Sequence, residues 1–271
     1  MTAAWTAAST PAPVPAPRTV LEAFLPLRGE VGLDLVYDTA NAVGLDDQPV
    51  RLTIRRLVAA GDVEQRGRGR AATVRWTAAG RERIERDRLA LRLVRAQDAG
   101  AAPWDGRWHL LAVSVEEPAR SVRDALRRSL LAAGAAAVST GLHVSTHDLS
   151  ALLGATDRRH LVLATADSLE VRGLADPLAL AEQLWPAAPV DRAYDALAAA
   201  LARPPAPDPL VQQLRLADAL ERSLRDDPLL PHELRPRPWR PAQLRRRWYE
   251  AWGALAEQLG ERALYRGWLE T

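Results

Sequence analysis

The 271-residue chain contains no cysteine. That excludes a disulfide framework, a thiolate metal site and a cysteine nucleophile. It contains no lysine either: all 36 basic residues are arginine, against 34 acidic residues, for a formal net charge of +2. A balance so near neutrality leaves no bulk charge to hold nucleic acid, so any such affinity has to come from local clustering. In a chain this rich in arginine, one arginine carries little information unless its structural position is special. No apolar run approaches the roughly 20 residues of a membrane span, and the N-terminus lacks the basic-then-apolar pattern of a secretory signal. The expectation is a cytoplasmic protein with no membrane partner. No glycine-rich phosphate loop is present, because Gly67-Arg68-Gly69-Arg70 has neither the spacing nor the strand-to-helix context.

What is present organises the chain. Hydrophobic residues make up 48%, enough for real cores, and the length predicts two or three domains. Residues 1–17, rich in Ala, Thr and Pro, read as a disordered tail. Helical periodicity predicts a first helix over 18–29, with Val20, Leu21, Phe24 and Leu25 inward, and a second over 34–43. A third is expected to be capped by Asp46 or Asp47, to bury Val50, Ile54, Leu57 and Val58, and to end at Gly61. The period then changes to that of two strands, 62–66 and 71–77, around the Gly67-Arg68-Gly69-Arg70 tip. A fourth helix follows over 78–94, and 99–103 reads as a linker. Beyond it come a strand over 107–115, a helix over 118–132 with Val122, Leu126 and Leu130 inward, strands over 135–139 and 142–145, a short helix over 148–153 and a strand over 160–166. That β-α-β-β-α-β order describes a ferredoxin-like domain. Helices over 177–185, 190–201, 210–224 and 241–268 complete the chain. The predicted class is α+β: a winged helix-turn-helix domain over 18–98, a ferredoxin-like central domain over 104–175 and a helical C-terminal domain over 176–271.

The N-terminal pattern carries the functional expectation. In a winged helix-turn-helix the third helix enters the major groove, so its outward face should be polar and cationic. Here that face offers Gln48, Arg51, Thr53, Arg55 and Arg56. Arginine pairs bidentately with guanine and glutamine with adenine. The wing offers Arg66, Arg68 and Arg70, separated by glycines that let the backbone approach phosphates. Each feature alone is commonplace in an arginine-rich chain, where such a helix face is more often simply solvated. It is their combination within some sixty residues that predicts a double-stranded DNA operator as partner.

Four stretches also resemble the PaaX family, the phenylacetate-catabolon type of bacterial repressor. They are Val50-Arg51-Leu52-Thr53-Ile54-Arg55-Arg56-Leu57; the Gly67–Arg70 tip with Trp76-Thr77-Ala78-Ala79-Gly80-Arg81; Trp104-Asp105-Gly106-Arg107-Trp108; and Asp227-Pro228-Leu229-Leu230-Pro231-His232-Glu233-Leu234 followed by Trp239. The resemblance runs from about residue 18 onward. It implies a homodimeric regulator, a central domain like the CRISPR-associated endoribonucleases of ferredoxin-like fold, and release from the operator by an acyl-CoA such as phenylacetyl-CoA. The chain departs from the family pattern at Ser114, His143, Thr146 and Gln212-Gln213-Leu214-Arg215, in the half assigned to sensing.

On that resemblance the candidate effector residues are Arg107, Arg123, Arg127 and Arg128 for phosphates, Trp104 or Trp108 for the acyl end, and His143. The cleft between the central domain and the helical C-terminal region is the expected receptor. For Trp104 and Trp108 packing at that junction is the favoured reading over an acyl pocket. The C-terminal stripe Leu244, Trp248, Trp252, Leu255 and Leu259 either pairs two copies or packs within its own chain. No catalytic residue, cofactor or metal is expected. Nuclease chemistry needs acidic ligands near the end of the first central strand, where Ser114 replaces one and Glu116 and Glu117 point apart. His143 and His147 lack a third ligand. The alternative to a regulator is an interaction module on the same scaffold without operator specificity or ligand sensing.

Overall fold

The computed structural model describes residues 13–115, 119–153 and 155–266. It is an α+β structure with two antiparallel sheets, one of three strands and one of four. The described residues fall into two compact units. The first lies within Met1–Arg81, Ala200–Asp218 and Trp252–Glu270, the second within Glu82–Ala199 and Ala219–Ala251. Within these, α4 (Ala78–Asp98), α9 (Asp195–Ala202), α10 (Pro209–Leu224) and α11 (Arg240–Leu259) each give residues to both units.

In the first unit, α1 (Pro17–Phe24), α2 (Leu33–Ala42) and α3 (Asp47–Ala59) precede a hairpin of β2 (Val63–Arg66) and β3 (Thr73–Trp76). The hairpin register sets Val63 opposite Trp76 and Arg66 opposite Thr73. A two-residue β1 (Val31–Gly32) adds to the other side of β3, giving the order β1-β3-β2. Two residues are too few to show a strand period, so the sequence does not announce it. Val20, Leu21, Phe24, Leu25, Val36, Ala40, Val50, Ile54, Leu57, Val63, Val74 and Trp76 are all buried.

The exit from the hairpin is tightly locked. Thr77 donates its hydroxyl to the Gly61 carbonyl at 2.6 Å and accepts the Gly80 N–H at 3.0 Å. A Cβ on Gly80 would lie 1.9 Å from the Asp62 carbonyl oxygen, so only glycine lets the first turn of α4 approach that strand. The Trp76–Arg81 motif is therefore a packing requirement of this corner. The first unit also draws in later segments. Ala16 N–H donates to Asp218 Oδ1 at 3.3 Å, Tyr265 N–H to the Ala23 carbonyl at 2.7 Å, and Leu264 N–H to the buried Gln213 Oε1 at 2.7 Å.

Several expectations need correction here. Val58 is 42% exposed although it lies within α3, because it stands about 80° round the helix from Val50, at the edge of the face that buries Val50, Ile54 and Leu57. Neither Asp46 nor Asp47 caps α3 through its side chain; Asp47 instead accepts from Asn41 Nδ2 at 3.1 Å. Of the expected tail, residues 1–12 lie outside the described residues, but Pro15 is buried and α1 begins at Pro17. Gln213, one of the departures assigned to sensing, serves the packing of this unit.

The second unit contains β4 (Trp108–Val113), α5 (Arg120–Ala132), β5 (Ala136–Ala137), β6 (Leu142–Ser145), α6 (Ala155–Arg158) and β7 (Leu161–Ala166). Their sheet order is β5-β6-β4-β7, every pair antiparallel. Alternation along β4 divides the core. Trp108 and Leu110 face a cluster with Val144, Val171, Leu180, Trp185, Leu230 and Leu234. Leu111 faces the other way, toward Leu130 of α5, Ala135 and Leu149. Val122 of α5 is exposed, unlike Leu126 and Leu130. The short helix expected over 148–153 is a 3-10 turn at Leu149–Ala151, with Asp148 accepting from Ser150 N–H. Pro118 lies outside the described residues.

The helices α7 (Pro177–Leu184) and α8 (Ala187–Ala193) follow. The helix expected over 190–201 is interrupted at Tyr194, where α8 ends and α9 begins, and the Tyr194 hydroxyl enters a buried polar network. The last helix, expected to reach Trp268, stops at Leu259 and a 3-10 turn (Gly260–Arg262) follows; Trp268 lies outside the described residues. Leu229, in the left-handed region at φ 53, is held by its neighbours. Its carbonyl accepts from Gln97 Nε2 at 2.9 Å and from His147 Nε2 at 2.7 Å, and its N–H donates to Asp227 Oδ1 at 2.9 Å. These bonds offset the roughly 1–2 kcal/mol that such a backbone costs a non-glycine residue.

Candidate nucleic-acid interface

Helix α3 buries Val50, Ile54 and Leu57 and turns the opposite face outward. On that face Gln48, Arg51, Arg55 and Arg56 are exposed. Among the described residues none of the three arginines has a carboxylate partner. Unpaired guanidinium groups on one helix face keep all their donors available. Thr53 differs: it is half-buried, and its hydroxyl donates back to the Pro49 carbonyl at 3.0 Å. Leu52, which sequence reading passed over, stands 42% exposed beside Arg51.

The hairpin tip sorts its arginines in the same way. Gly67 and Gly69 take φ of +83 and +64, which bends the chain into the 3-10 turn Gly69–Ala71. Arg68 at the tip is exposed and has no carboxylate partner among the described residues. Arg70 is bound to Asp38 of α2 at 2.6 Å and lies over the Tyr37 ring, so it ties the tip to the helices. Arg66 shares Glu64 with Arg75, whose two bonds to that carboxylate are 2.9 and 2.6 Å. Those bonds, from Arg75 first and Arg66 second, hold the Glu64 carboxyl below its usual range. Of the candidate arginines on α3 and the hairpin, Arg51, Arg55, Arg56 and Arg68 have no carboxylate partner among the described residues.

The candidate effector residues are divided between the two faces of the four-stranded sheet. Trp104 meets Trp108 edge-on at 5.3 Å, and its Nε1–H donates to the Arg107 carbonyl across a turn closed by Asp105 and Gly106. Trp108 is buried in the packed junction with Trp185, Leu230 and Leu234, while Arg107 points to solvent beside Asp167 at 3.5 Å. His143 lies on the opposite face, because it pairs with Leu111 while its neighbour Val144 pairs with Leu110. Arg123, Arg127 and Arg128 belong to α5, which packs on β4 and β5 on the His143 side. The structure therefore sets Trp104 against Trp108, and places Arg127 near enough to His143 for its charge to act on the ring, but keeps these two pairs on opposite faces of the sheet.

His147 donates to the Leu229 carbonyl, and burial pushes its ring below the usual histidine range. No group of three or more His, Cys, Asp or Glu converges among the described residues. Glu116 and Glu117 lie outside them. No helix among the described residues is long and apolar enough to cross a membrane. In the C-terminal stripe Leu244, Trp248 and Trp252 are buried in their own chain, and Leu255 and Leu259 are half-buried.

An α+β chain with this central sheet has known counterparts. Residues 101–178 match the family model described as the PaaX protein central Cas2-like domain. That match spans the stretch containing Trp104–Trp108 and bears out the resemblance to the PaaX family there. Among solved structures, the uncharacterized protein Rv0674 from Mycobacterium tuberculosis superposes with a TM-score of 0.59 at 24% identity, over 92% of this chain and 99% of that one. At that identity the likeness is one of fold. No curated protein matches the chain.

Proposed function

We propose that the chain is a DNA-binding transcriptional regulator whose residues 18–98 act as a winged helix-turn-helix. The observation that carries this reading is the set of unpaired arginines, Arg51, Arg55 and Arg56 on α3 and Arg68 at the hairpin tip. The order of three helices and then a two-stranded ribbon supports it, with α3 as the groove-entering helix. The PaaX match of the central domain supports a regulatory role. The strand order β5-β6-β4-β7 supports a ferredoxin-like central domain. On this reading the protein works on cytoplasmic DNA as a homodimer reading two half-sites, because one such module buries too little surface for tight selective binding.

The reading extends to a repressor released by an acyl-CoA effector, with Arg123, Arg127 and Arg128 as the phosphate partners. Binding-site selection from randomised duplex DNA tests the core of it. A selected consensus with two half-sites about one helical turn apart supports the regulator. Recovery of no consensus contradicts it and favours an interaction module. Operator release by thioesters, but not by free coenzyme A, tests the effector separately.

A further inference from the structure

Beneath α5 the second unit contains two buried nitrogen atoms that have no hydrogen-bond partner among the described residues: His143 Nδ1 and Arg127 Nε. They come from different elements. His143 sits on β6 between β4 and β5, opposite Leu111 on one side and Ala137 on the other. Helix α5 packs on both flanking strands, so it covers the histidine. His143 is only 2% exposed. Arg127 retains 27% of its side-chain exposure, so its end of the pair opens to solvent. Burial, and then the Arg127 charge, hold the His143 ring below its usual range, which keeps it neutral and leaves one ring nitrogen free to carry a donor hydrogen.

Among the described residues, α5 is predominantly cationic. Helix α5 carries Arg120, Arg123, Arg127 and Arg128 against a single carboxylate, Asp124. Asp124 is shared at long range by Arg120 at 3.8 Å and Arg127 at 3.7 Å, and neither contact uses the buried Arg127 Nε. Arg123 and Arg128 have no carboxylate partner among the described residues. An unsatisfied buried polar group is costly, and the Arg127 Nε–H beside an unpaired His143 ring nitrogen, under a cationic helix, fits an acceptor that carries negative charge.

We infer that His143 Nδ1 and Arg127 Nε form the seat of a small-molecule oxyanion, a phosphate ester or a carboxylate, entering from the Arg127 side of α5. The oxyanion accepts the Arg127 Nε–H and the His143 Nδ1–H, and Arg123 and Arg128 supply the outer field. This site deepens the effector reading, whose phosphate partners it shares, but stands without the DNA-binding reading; its test uses no DNA and no thioester, so it can fail or hold independently of operator release.

The test is a titration of the full chain with inorganic phosphate, with acetate, and with chloride at matched ionic strength. The His143 ring is followed by long-range proton–nitrogen NMR and assigned from the spectrum of His143→Gln. Saturable movement of the His143 ring nitrogens with phosphate or acetate, and not with chloride, is expected. Whichever of the two binds more tightly names the headgroup. Arg127→Gln should weaken that binding about tenfold or more, the loss of a charge-assisted bond. Arg127 is part-exposed, so this variant keeps the fold, which the unchanged methyl spectrum of the core would verify. Movement that tracks ionic strength alone, or equal binding in Arg127→Gln, overturns the site and leaves a bridging water as its occupant.

Discussion

Arg245 and Asp98 stand 147 residues apart and meet in a two-pronged ion pair, Nε to Oδ2 at 2.7 Å and Nη2 to Oδ1 at 2.6 Å. Both side chains are almost fully buried, at 2% and 5% exposure. The pair is fully committed: Arg245 Nη1 donates to the Tyr194 hydroxyl at 2.7 Å, which in turn donates to Asp227 at 2.8 Å, and His232 Nε2 reaches Asp98 at 3.1 Å. Burial opposes the Arg245 charge, but its bonds to Asp98 outweigh that and hold the guanidinium charged. The network gathers the end of α4, the α8–α9 break, the Asp227–Leu234 motif and α11 around one buried charge pair. Removing both partners should therefore cost less than the two single losses added together. Arg245→Met or Asp98→Asn alone is expected to lose about 3–5 kcal/mol, and the double variant clearly less than the sum. Urea unfolding of the four proteins measures this, and strict additivity would deny the coupling.

The same pair sets an acid limb. Burial pushes the Asp98 carboxyl up, but the bonds from Arg245 and His232 outweigh it and leave the group below its usual range. Its folded value is thus below its unfolded one. The stability it contributes is fully present above the ordinary carboxylate range and is lost as pH falls through the lowered folded value. In Asp98→Asn the acid limb of a stability-against-pH curve should flatten. An unchanged slope there would remove Asp98 from the account of acid unfolding.

Gly80→Ala tests the corner after the hairpin. Alanine favours helix over glycine by about 1 kcal/mol, so propensity alone predicts a gain. The added Cβ meets the Asp62 carbonyl oxygen at 1.9 Å, a backbone atom that cannot swing away. A net loss of about 1–3 kcal/mol is expected from the forced shift. Thermal unfolding decides the sign.

The paired and unpaired arginines should behave differently on DNA. Arg51→Ala or Arg55→Ala should cost about 1–3 kcal/mol and relax preference at one base position, if each reads a base. Arg68→Ala should weaken all sequences alike and reduce the salt slope by about 0.9, the share of one phosphate. Arg70 already binds Asp38, so Arg70→Ala should lower stability of the tip more than it changes the salt slope. Fluorescence anisotropy across a salt series, together with proteolysis of the tip, distinguishes these outcomes.

Much of this molecule was legible because its periods are strong. Val20, Leu21, Ile54 and Leu57 recur at helical spacing and are all buried, and the glycines at 67 and 69 mark the hairpin tip. What escaped was set by contacts distant in sequence. Asp98 reads as the frayed end of a helix until Arg245 arrives from 147 residues away. Val58 has core spacing from Ile54 but sits at the edge of the buried face of α3, where Leu57 fills the core instead. Trp108 and His143 both looked like parts of one effector site, yet strand alternation sends them to opposite faces. Which arginines are free is a property of their partners, Asp38 and Glu64, and no local pattern encodes it.

The central claim rests on four unpaired arginines, and one comparison tests it most directly. The wild-type chain and an Arg51→Ala, Arg55→Ala, Arg56→Ala, Arg68→Ala variant of equal thermal stability are titrated onto the duplex obtained by binding-site selection, over a range of salt. The account predicts that the variant loses selectivity for that duplex over random DNA, and that its salt slope falls by about 0.9 for each phosphate contact removed. Equal affinity, equal selectivity and an equal salt slope in the two proteins would contradict it.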